Sequence, residues 1–317
     1  MLNILVGTIT MAAALRMAVP LILSSIGGCF GDRTGIFNIA LESFMLCAAF
    51  FATLGTYYSG SPYVGVLCGI LAGLACAVLF GTLVFHLGSS GMVVSIAMNL
   101  GMDAFTSFLL LNLFGKRGSF MDPRLVSLPV IKLPLISRIP YVGEVLGAHN
   151  IVVYLTLLAV AGTWIAMYKT PFGLRLRSVG INEKAAQTTG TNVLRYKWYS
   201  VLITGFFVGI AGAILPLGGT SIFTENMSAG RGFLAVAAIM IAKGNPVMAA
   251  VYSFMFAYAQ ALAASMQNFG IPSQIVLALP YFMTIAVLVH WKRNPTTCRL
   301  CLGGTFLSVK RLNYRQR

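Results

Sequence analysis

Acidic residues are almost missing from this chain: Asp and Glu together number 7 among 317 residues, and charged residues of both signs make up 9%. Soluble domains carry roughly 25% charged residues, so a polar shell around a globular core is excluded. Strand-type alternation of apolar and polar positions is not seen, which argues against an outer-membrane barrel. No G-x-x-x-x-G-K-[ST] phosphate loop is present, and no nucleophile–base pair or metal-ligand constellation stands out. An intramembrane enzyme is therefore disfavoured. The six cysteines do not read as a disulfide framework. Cys29, Cys47, Cys68 and Cys76 lie in apolar stretches, where a thiol behaves as a small hydrophobe. Cys298 and Cys301 form a lone CxxC with only His290 nearby, short of the four ligands a zinc site needs. The N-terminus lacks a basic n-region and a small-residue cleavage site, so it reads as a retained helix.

What is present is apolar: 58% of residues are hydrophobic and the mean hydropathy is +0.85. Runs of about 20 apolar residues recur, the length that crosses a bilayer as helix, and helices pair every backbone amide internally. The expectation is an all-α polytopic integral membrane protein with about nine transmembrane helices (between eight and ten) and an inverted repeat of two halves. The first run reaches about Phe30, where "GDRTG" interrupts it. Further runs cover about 36–57, 63–86, 92–114, 151–168, 199–219, a short one at 233–242, then 248–266 and 275–290. Residues 1–290 form one transmembrane domain, with a polar loop at 169–198 and a basic cytoplasmic tail at 291–317.

The formal net charge of +15 reads as Lys- and Arg-rich cytoplasmic loops and not as a nucleic-acid surface. Lys169, Arg175, Arg177, Lys184, Arg195 and Lys197 lie in or beside the 169–198 loop, and the tail is basic as well. Both are placed in the cytoplasm. The Gly- and Pro-rich connection from Gly115 to His149 then lies outside, against the charge rule, since it carries Lys116, Arg117, Arg124, Lys132 and Arg138. Within the loop, "NEKAAQTTG" reads as a short helix. Asn182 caps it, Glu183 lies in its first turn where the dipole favours an anion, and Gly190 ends it.

That loop carries a resemblance. "PFGLRLRSVGINEKAAQTTGTNV" is similar to the cytoplasmic loop of permease subunits of bacterial ABC importers, in the branch handling branched-chain amino acids, simple sugars and nucleosides. Gly173, Arg177, Gly180, Asn182, Ala185, Ala186, Gly190 and Val193 match its pattern, while Ser178, Glu183 and Thr191 depart from it. "GDRTGIFNIALESFMLCAAF" and "SAGRGFLAVAAIMIAKGNP" resemble two further motifs of nucleoside permeases, with Ala40 and Ser43 where Gly is usual. The short N-terminus resembles the smaller of two paired permeases. The resemblance implies a pair of homologous permease subunits, a cytoplasmic ABC ATPase and an extracytoplasmic substrate-binding lipoprotein. It implies no cofactor on this chain, with ATP and Mg on the ATPase. The loop would be a coupling helix seated in the ATPase, through Arg177, Gly180, Asn182, Glu183, Ala185, Ala186 and Gly190. The cargo would be a small-molecule solute: a nucleoside, riboflavin or a simple sugar.

A substrate route needs polar groups inside spans, where they are costly. Asn38 and Glu42, four apart, are placed on one helical face, and Asn99 and Asp103 repeat the spacing. Gln260 and Gln267 share a face of the eighth span. "SAGRGF" reads as a broken helix, with Phe233 able to stack on a planar base and Arg231 able to pair with Glu225. Each of these residues has a plainer reading as an interhelical hydrogen bond, and Glu42 reads as structural. Gly69, Gly73 and Gly81 suit close helix packing. His86, His149 and His290 lie at span ends. Two other function classes stay open at this point: a secondary transporter driven by an ion gradient, and a membrane scaffold whose loop docks a soluble partner.

Overall fold

The computed structural model describes residues 8–132 and 148–267. Ten helices occupy them: α1 (Thr8–Arg33), α2 (Leu41–Ser59), α3 (Pro62–Phe85), α4 (Gly91–Phe114), α5 (Ile151–Tyr168), α6 (Pro171–Ile181), α7 (Glu183–Thr188), α8 (Val193–Leu217), α9 (Arg231–Ala242) and α10 (Pro246–Gln267). Six of these are long and apolar enough to cross a membrane. The 19-residue α2 is a seventh long helix, enclosed by its neighbours along most of its length. The described residues thus do not reach the nine spans expected, and the ninth expected run, at 275–290, lies outside them together with the basic tail.

Two boundaries differ from the sequence reading. Helix α1 continues through Gly31, Asp32 and Arg33, because Thr34 closes its end with its hydroxyl on the carbonyls of Phe30 and Gly31. The next helix begins only at Leu41, so residues 35–40 form a non-helical link. The all-α expectation also needs an addition. Strand β1 (Ser119–Met121) pairs antiparallel with β4 (Ile222–Thr224), and β2 (Val130–Lys132) pairs with β3 (Ala148–Asn150). These short ribbons tie the long connection over the end of α8. Leu128 N–H donates to the carbonyl of Leu217 at 2.9 Å, and Asn150 donates to that of Gly218 at 2.8 Å. The polar loop with α6 and α7 precedes the opposite end of α8. At about 1.5 Å per residue over its 25 residues, the two connections stand roughly 37 Å apart. They therefore lie at opposite ends of α8.

Helix α8 is the axis. It packs on α3, α1 and α2, while α1 packs in turn on α10 and α9. The contact with α3 is built from small residues. A Cβ on Gly73 would stand 2.5 Å from the carbonyl oxygen of Gly205 and 2.7 Å from the Cα of Gly209. Gly69 faces Ala213, and Gly81 accommodates the Trp198 ring. Without hydrophobic drive in lipid, such backbone-to-backbone approach is what joins helices. It also suits the composition, since 33 glycines are a large share of the chain. Replacing Gly73 by Leu should destabilise the purified protein by at least about 3 kcal/mol, since backbone cannot yield as a side chain can. Gly101, with nothing within 4 Å of a built Cβ, should accept Ala with a gain of about 0.5–1 kcal/mol. Thermal unfolding in detergent decides both. Equal melting of Gly73→Leu and the unchanged protein would contradict this packing.

Candidate translocation site and coupling loop

Two places bring chemistry-bearing residues together. The first lies deep in the bundle. Helix α9 has only 12 residues and is preceded by Gly230 at its N-cap, whose φ of +79° glycine adopts without steric strain. Its first turn leaves backbone N–H groups without helical partners. Glu42, in the first turn of α2, supplies the acceptors. Its Oε1 accepts from Gly230 N–H at 2.8 Å and its Oε2 from Gly232 N–H at 2.6 Å. Gly232 is also the residue that allows the approach, since a Cβ there would stand 2.5 Å from the backbone nitrogen of Glu42.

The depth of this contact follows from the packing. Met45, one turn beyond Glu42, lies against Gly212 of α8. Counted along α8, the carboxylate stands roughly 18 Å beyond Lys197 and roughly 12 Å short of Leu217. In an apolar core about 30 Å thick, that is near mid-depth. From there α9 returns to the α1 terminus: a Cβ on Gly244 would stand 2.6 Å from Asp32 Oδ2. Helix α9 is thus a half-helix, as its "SAGRGF" start suggested.

Beside it, the link before α2 is held by α4. Asn99 accepts from Ser43 N–H at 3.0 Å and donates to the carbonyl of Ile39 at 3.2 Å, and Ser95 accepts from Ile39 N–H at 3.1 Å. Asn38 therefore does not share a helical face with Glu42. It sits in the extended link, where its Oδ1 accepts from Ala40 N–H at 2.8 Å. The expected face fails because the helix starts three residues later than the spacing assumed. Arg231 does not pair with Glu225: its Nη1 donates to the carbonyl of Met227 at 3.3 Å, while Glu225 accepts from Gly118 N–H at 3.0 Å. Three buried side-chain atoms have no hydrogen-bond partner among the described residues: Asn38 Nδ2, Ser228 Oγ and Arg231 Nε. All three belong to this break or to the half-helix beside it.

Of the remaining sequence candidates, Phe233 is exposed on α9 and Asp103 is exposed near the middle of α4. Gln260 is half-buried on α10, which packs chiefly on α1 and α9, away from α4. Gln267 carries no described side chain. Phe37, exposed in the link beside Asn38, escaped the sequence reading because it was counted inside a span. His86 caps α3 near the Trp198 ring, whereas the side chain of His149, together with His290, Cys298 and Cys301, lies outside the described residues.

The second place is the 169–198 loop, which holds two helices and not one. Thr170 caps α6 by accepting from Gly173 N–H, and Pro171 takes its first position. Asn182 then caps α7 by accepting from Ala185 N–H at 3.2 Å, and Gly190 has φ +78° past its end. Glu183 forms an ion pair with Lys197 at 2.6 Å, tying α7 to α8 near its start. The candidate residues divide by where they point. Asn182, Glu183, Ala185 and Gly190 are exposed. Ala186 is not: it packs inward with Val179, Val193 and Tyr196. Arg177 is half-buried, its guanidinium 4.9 Å from the centre of the Tyr168 ring. Gly180 permits contact, since a Cβ there would run into the backbone oxygen of Arg33. The most exposed apolar side chains of the loop are Ile181 (85%) and Leu174 (62%). Neither was singled out from sequence, although an isoleucine between "SVG" and "NEK" is the kind of apolar residue a solvated loop does not need.

Known proteins match this chain along most of its length. The family description "Branched-chain amino acid transport system / permease component" matches residues 10–288. The nucleoside ABC transporter permease protein NupC of Lactococcus lactis is 34% identical over 88% of this chain and 91% of its own length. The guanosine ABC transporter permease protein NupQ of Bacillus subtilis is 31% identical over 89% of this chain and 91% of its own. A second guanosine permease of that organism, NupP, is 25% identical over 91% of this chain and 82% of its own. A solved ABC transporter in an inward-facing conformation shares the fold, with a TM-score of 0.51 at 15% identity over 89% of this chain and 85% of that one.

The Glu42 contact yields a test of its own. Glu42→Ala leaves two N–H groups near mid-depth without acceptors, at about 1–3 kcal/mol each. Glu42→Gln keeps one acceptor and turns an amide donor toward a backbone donor. The expected order of thermal stability is Glu42, then Gln, then Ala. An Ala variant that melts with the unchanged protein would remove the capping role.

Proposed function

This chain belongs to the permease family of branched-chain amino acid transport systems, and from that premise we propose that it forms the membrane path of an ABC importer for nucleosides. It is a transporter subunit and not an enzyme, a multi-pass protein of the inner membrane. ATP is hydrolysed by a separate ATPase, which binds the nucleotide and Mg, and a binding partner delivers substrate outside. The cargo is read from the relatives: NupC is named for nucleosides and NupQ for guanosine. The partner permease is a homologue, as B. subtilis has both NupP and NupQ. An extracytoplasmic lipoprotein would present the solute to the paired subunits.

The observation that carries the reading is the loop. Its two helices are capped, tied to α8 by the Glu183–Lys197 pair, and packed onto the α1 terminus at Gly180. They nevertheless leave Ile181 and Leu174 uncovered. A rigid pair of helices with exposed apolar residues among basic ones suits a protein partner on the cytoplasmic face. Asn182, Glu183, Ala185 and Ile181 form its outer surface. Arg177, Gly180 and Ala186 hold it in place from beneath, and Gly190 ends it.

For the route, Asp103 supports the flank of α4. It stands one helical turn from Asn99, on the outside of the described bundle. A carboxylate facing lipid at such a depth is disfavoured by several kcal/mol, whereas a watery path or a second permease would accommodate it. Phe37 and Phe233 offer apolar rings near the polar groups of the break, a combination that suits a base joined to a sugar.

Uptake of radiolabelled guanosine into proteoliposomes holding the permease pair, with the ATPase, the binding protein and ATP, tests the proposal. Ile181→Asp and Ala185→Arg should each lower ATP-driven uptake at least tenfold. Both positions are exposed, so thermal stability should stay within about 0.5 kcal/mol of the unchanged protein. Uptake by the lone chain on a proton or sodium gradient would reject the proposal in favour of a secondary transporter.

A further inference from the structure

Three helices end around one side chain. Arg33 closes α1, Tyr168 closes α5, and α9 ends at Ala242. The Arg33 guanidinium joins them: its Nε donates to the carbonyl of Gly244 at 3.0 Å and its Nη2 to the Tyr168 hydroxyl at 3.0 Å. A cation is favoured there because helix C-termini carry the negative ends of their dipoles. Arginine suits the position better than lysine, since its planar fork donates in two fixed directions at once. The turn it grips at Gly244 is tight: Lys243, a non-glycine residue, has φ +50° and Gly244 has φ +65°.

The same node touches the loop from two sides. Arg177 of α6 lies over the ring of Tyr168, the tyrosine whose hydroxyl Arg33 holds. Gly180 of α6 presses against the backbone oxygen of Arg33 itself. At its other end α9 is held by Glu42, through Gly230 and Gly232. The half-helix is therefore clamped near mid-depth by a carboxylate and at the loop side by a guanidinium that α6 also contacts.

We propose that Arg33 is a positioning residue that transmits displacement of the loop helices to the half-helix α9, through its paired hydrogen bonds to Tyr168 and Gly244. The inference rests on the permease reading above, and it adds the residue by which the partner's motion reaches the route. A shift of α6 acts on Arg33 directly at Gly180 and indirectly through Arg177 and Tyr168. Arg33 then moves the turn at 243–244 and with it the C-terminal end of α9, whose outer face carries Phe233 and Met240.

The test measures solute carried per ATP hydrolysed, using the complete complex in proteoliposomes with radiolabelled guanosine. Arg33→Gln should lower that ratio at least tenfold while hydrolysis by the assembled complex remains within about twofold. Tyr168→Phe removes only one hydroxyl and keeps the ring under Arg177, so it should lower the ratio roughly three- to fivefold. The double variant should be no worse than Arg33→Gln alone, as expected for groups acting in one contact. Arg33→Lys should restore less than half of the loss. Uptake and hydrolysis falling in proportion, with the ratio kept, would overturn the proposal and leave Arg33 as packing alone. Should Arg33→Gln fail to assemble, Tyr168→Phe decides by itself: an unchanged ratio overturns the relay. A failure of the unchanged complex to transport on ATP is a different result, which defeats the permease reading and not the relay.

Discussion

Residues 225–230 and 35–40 bring non-helical backbone into a chain that otherwise crosses lipid as helix, and backbone at that depth must find partners within the protein. The fold answers this demand with a few side chains. Glu42 satisfies the start of α9, while Asn99 and Ser95 satisfy the link before α2. Each of these groups sits in a helix adjoining the gap it fills, so the breaks are fixed in place by their neighbours. The polar residues that a sequence reader would assign to substrate are, for the most part, already engaged in holding the backbone. What is left over among the described residues is small: the unpartnered atoms of Asn38, Ser228 and Arg231, the exposed Asp103, and two exposed rings.

Close packing sets the other condition. Glu42 reaches Gly230 and Gly232 only because Gly232 has no side chain, and α8 meets α3 at backbone distance where Gly205 and Gly209 face Gly73. A half-helix that must approach a neighbour at backbone distance depends on glycine as much as on the carboxylate that caps it. The two requirements meet in "SAGRGF", where one glycine supplies the positive φ and the next supplies the space.

Much of this was legible in the sequence, for identifiable reasons. The short α7, its Asn182 cap and its Gly190 stop follow from local rules that act over three or four residues, and they stand as read. The half-helix was legible because glycines punctuate a run too short to cross. Errors arose where distance along the chain was taken for distance in space. Asn38 and Glu42 satisfy helical spacing but straddle the start of α2. Arg231 and Glu225 are near in sequence, yet Glu225 turns to Gly118, more than a hundred residues away. Ala186 matches the loop pattern beside Ala185, yet one faces the interior and the other the solvent. Arg33 stands inside the quoted "GDRTG" stretch, yet no role for it followed from the sequence, because its partners at 168 and 244 come from other helices.

The clamp on α9 also bears on why the half-helix would respond to the loop at all. A full-length span is held along its whole face, so a push at one end is absorbed by many contacts. Helix α9 is shorter, with its buried face on α1 and α10 and an outer face bearing Phe233 and Met240. Its two ends are fixed by hydrogen bonds that are directional and few. Hydrogen bonds to charged groups contribute about 1.5–3 kcal/mol, comparable to the differences that separate alternative conformations of a transporter. Those bonds are strong enough to carry a displacement and weak enough to be exchanged, whereas the glycine-packed contact of α3 with α8 has no such freedom. The moving part of this permease is therefore expected at the half-helix, with the α3–α8 pair as the frame against which it moves.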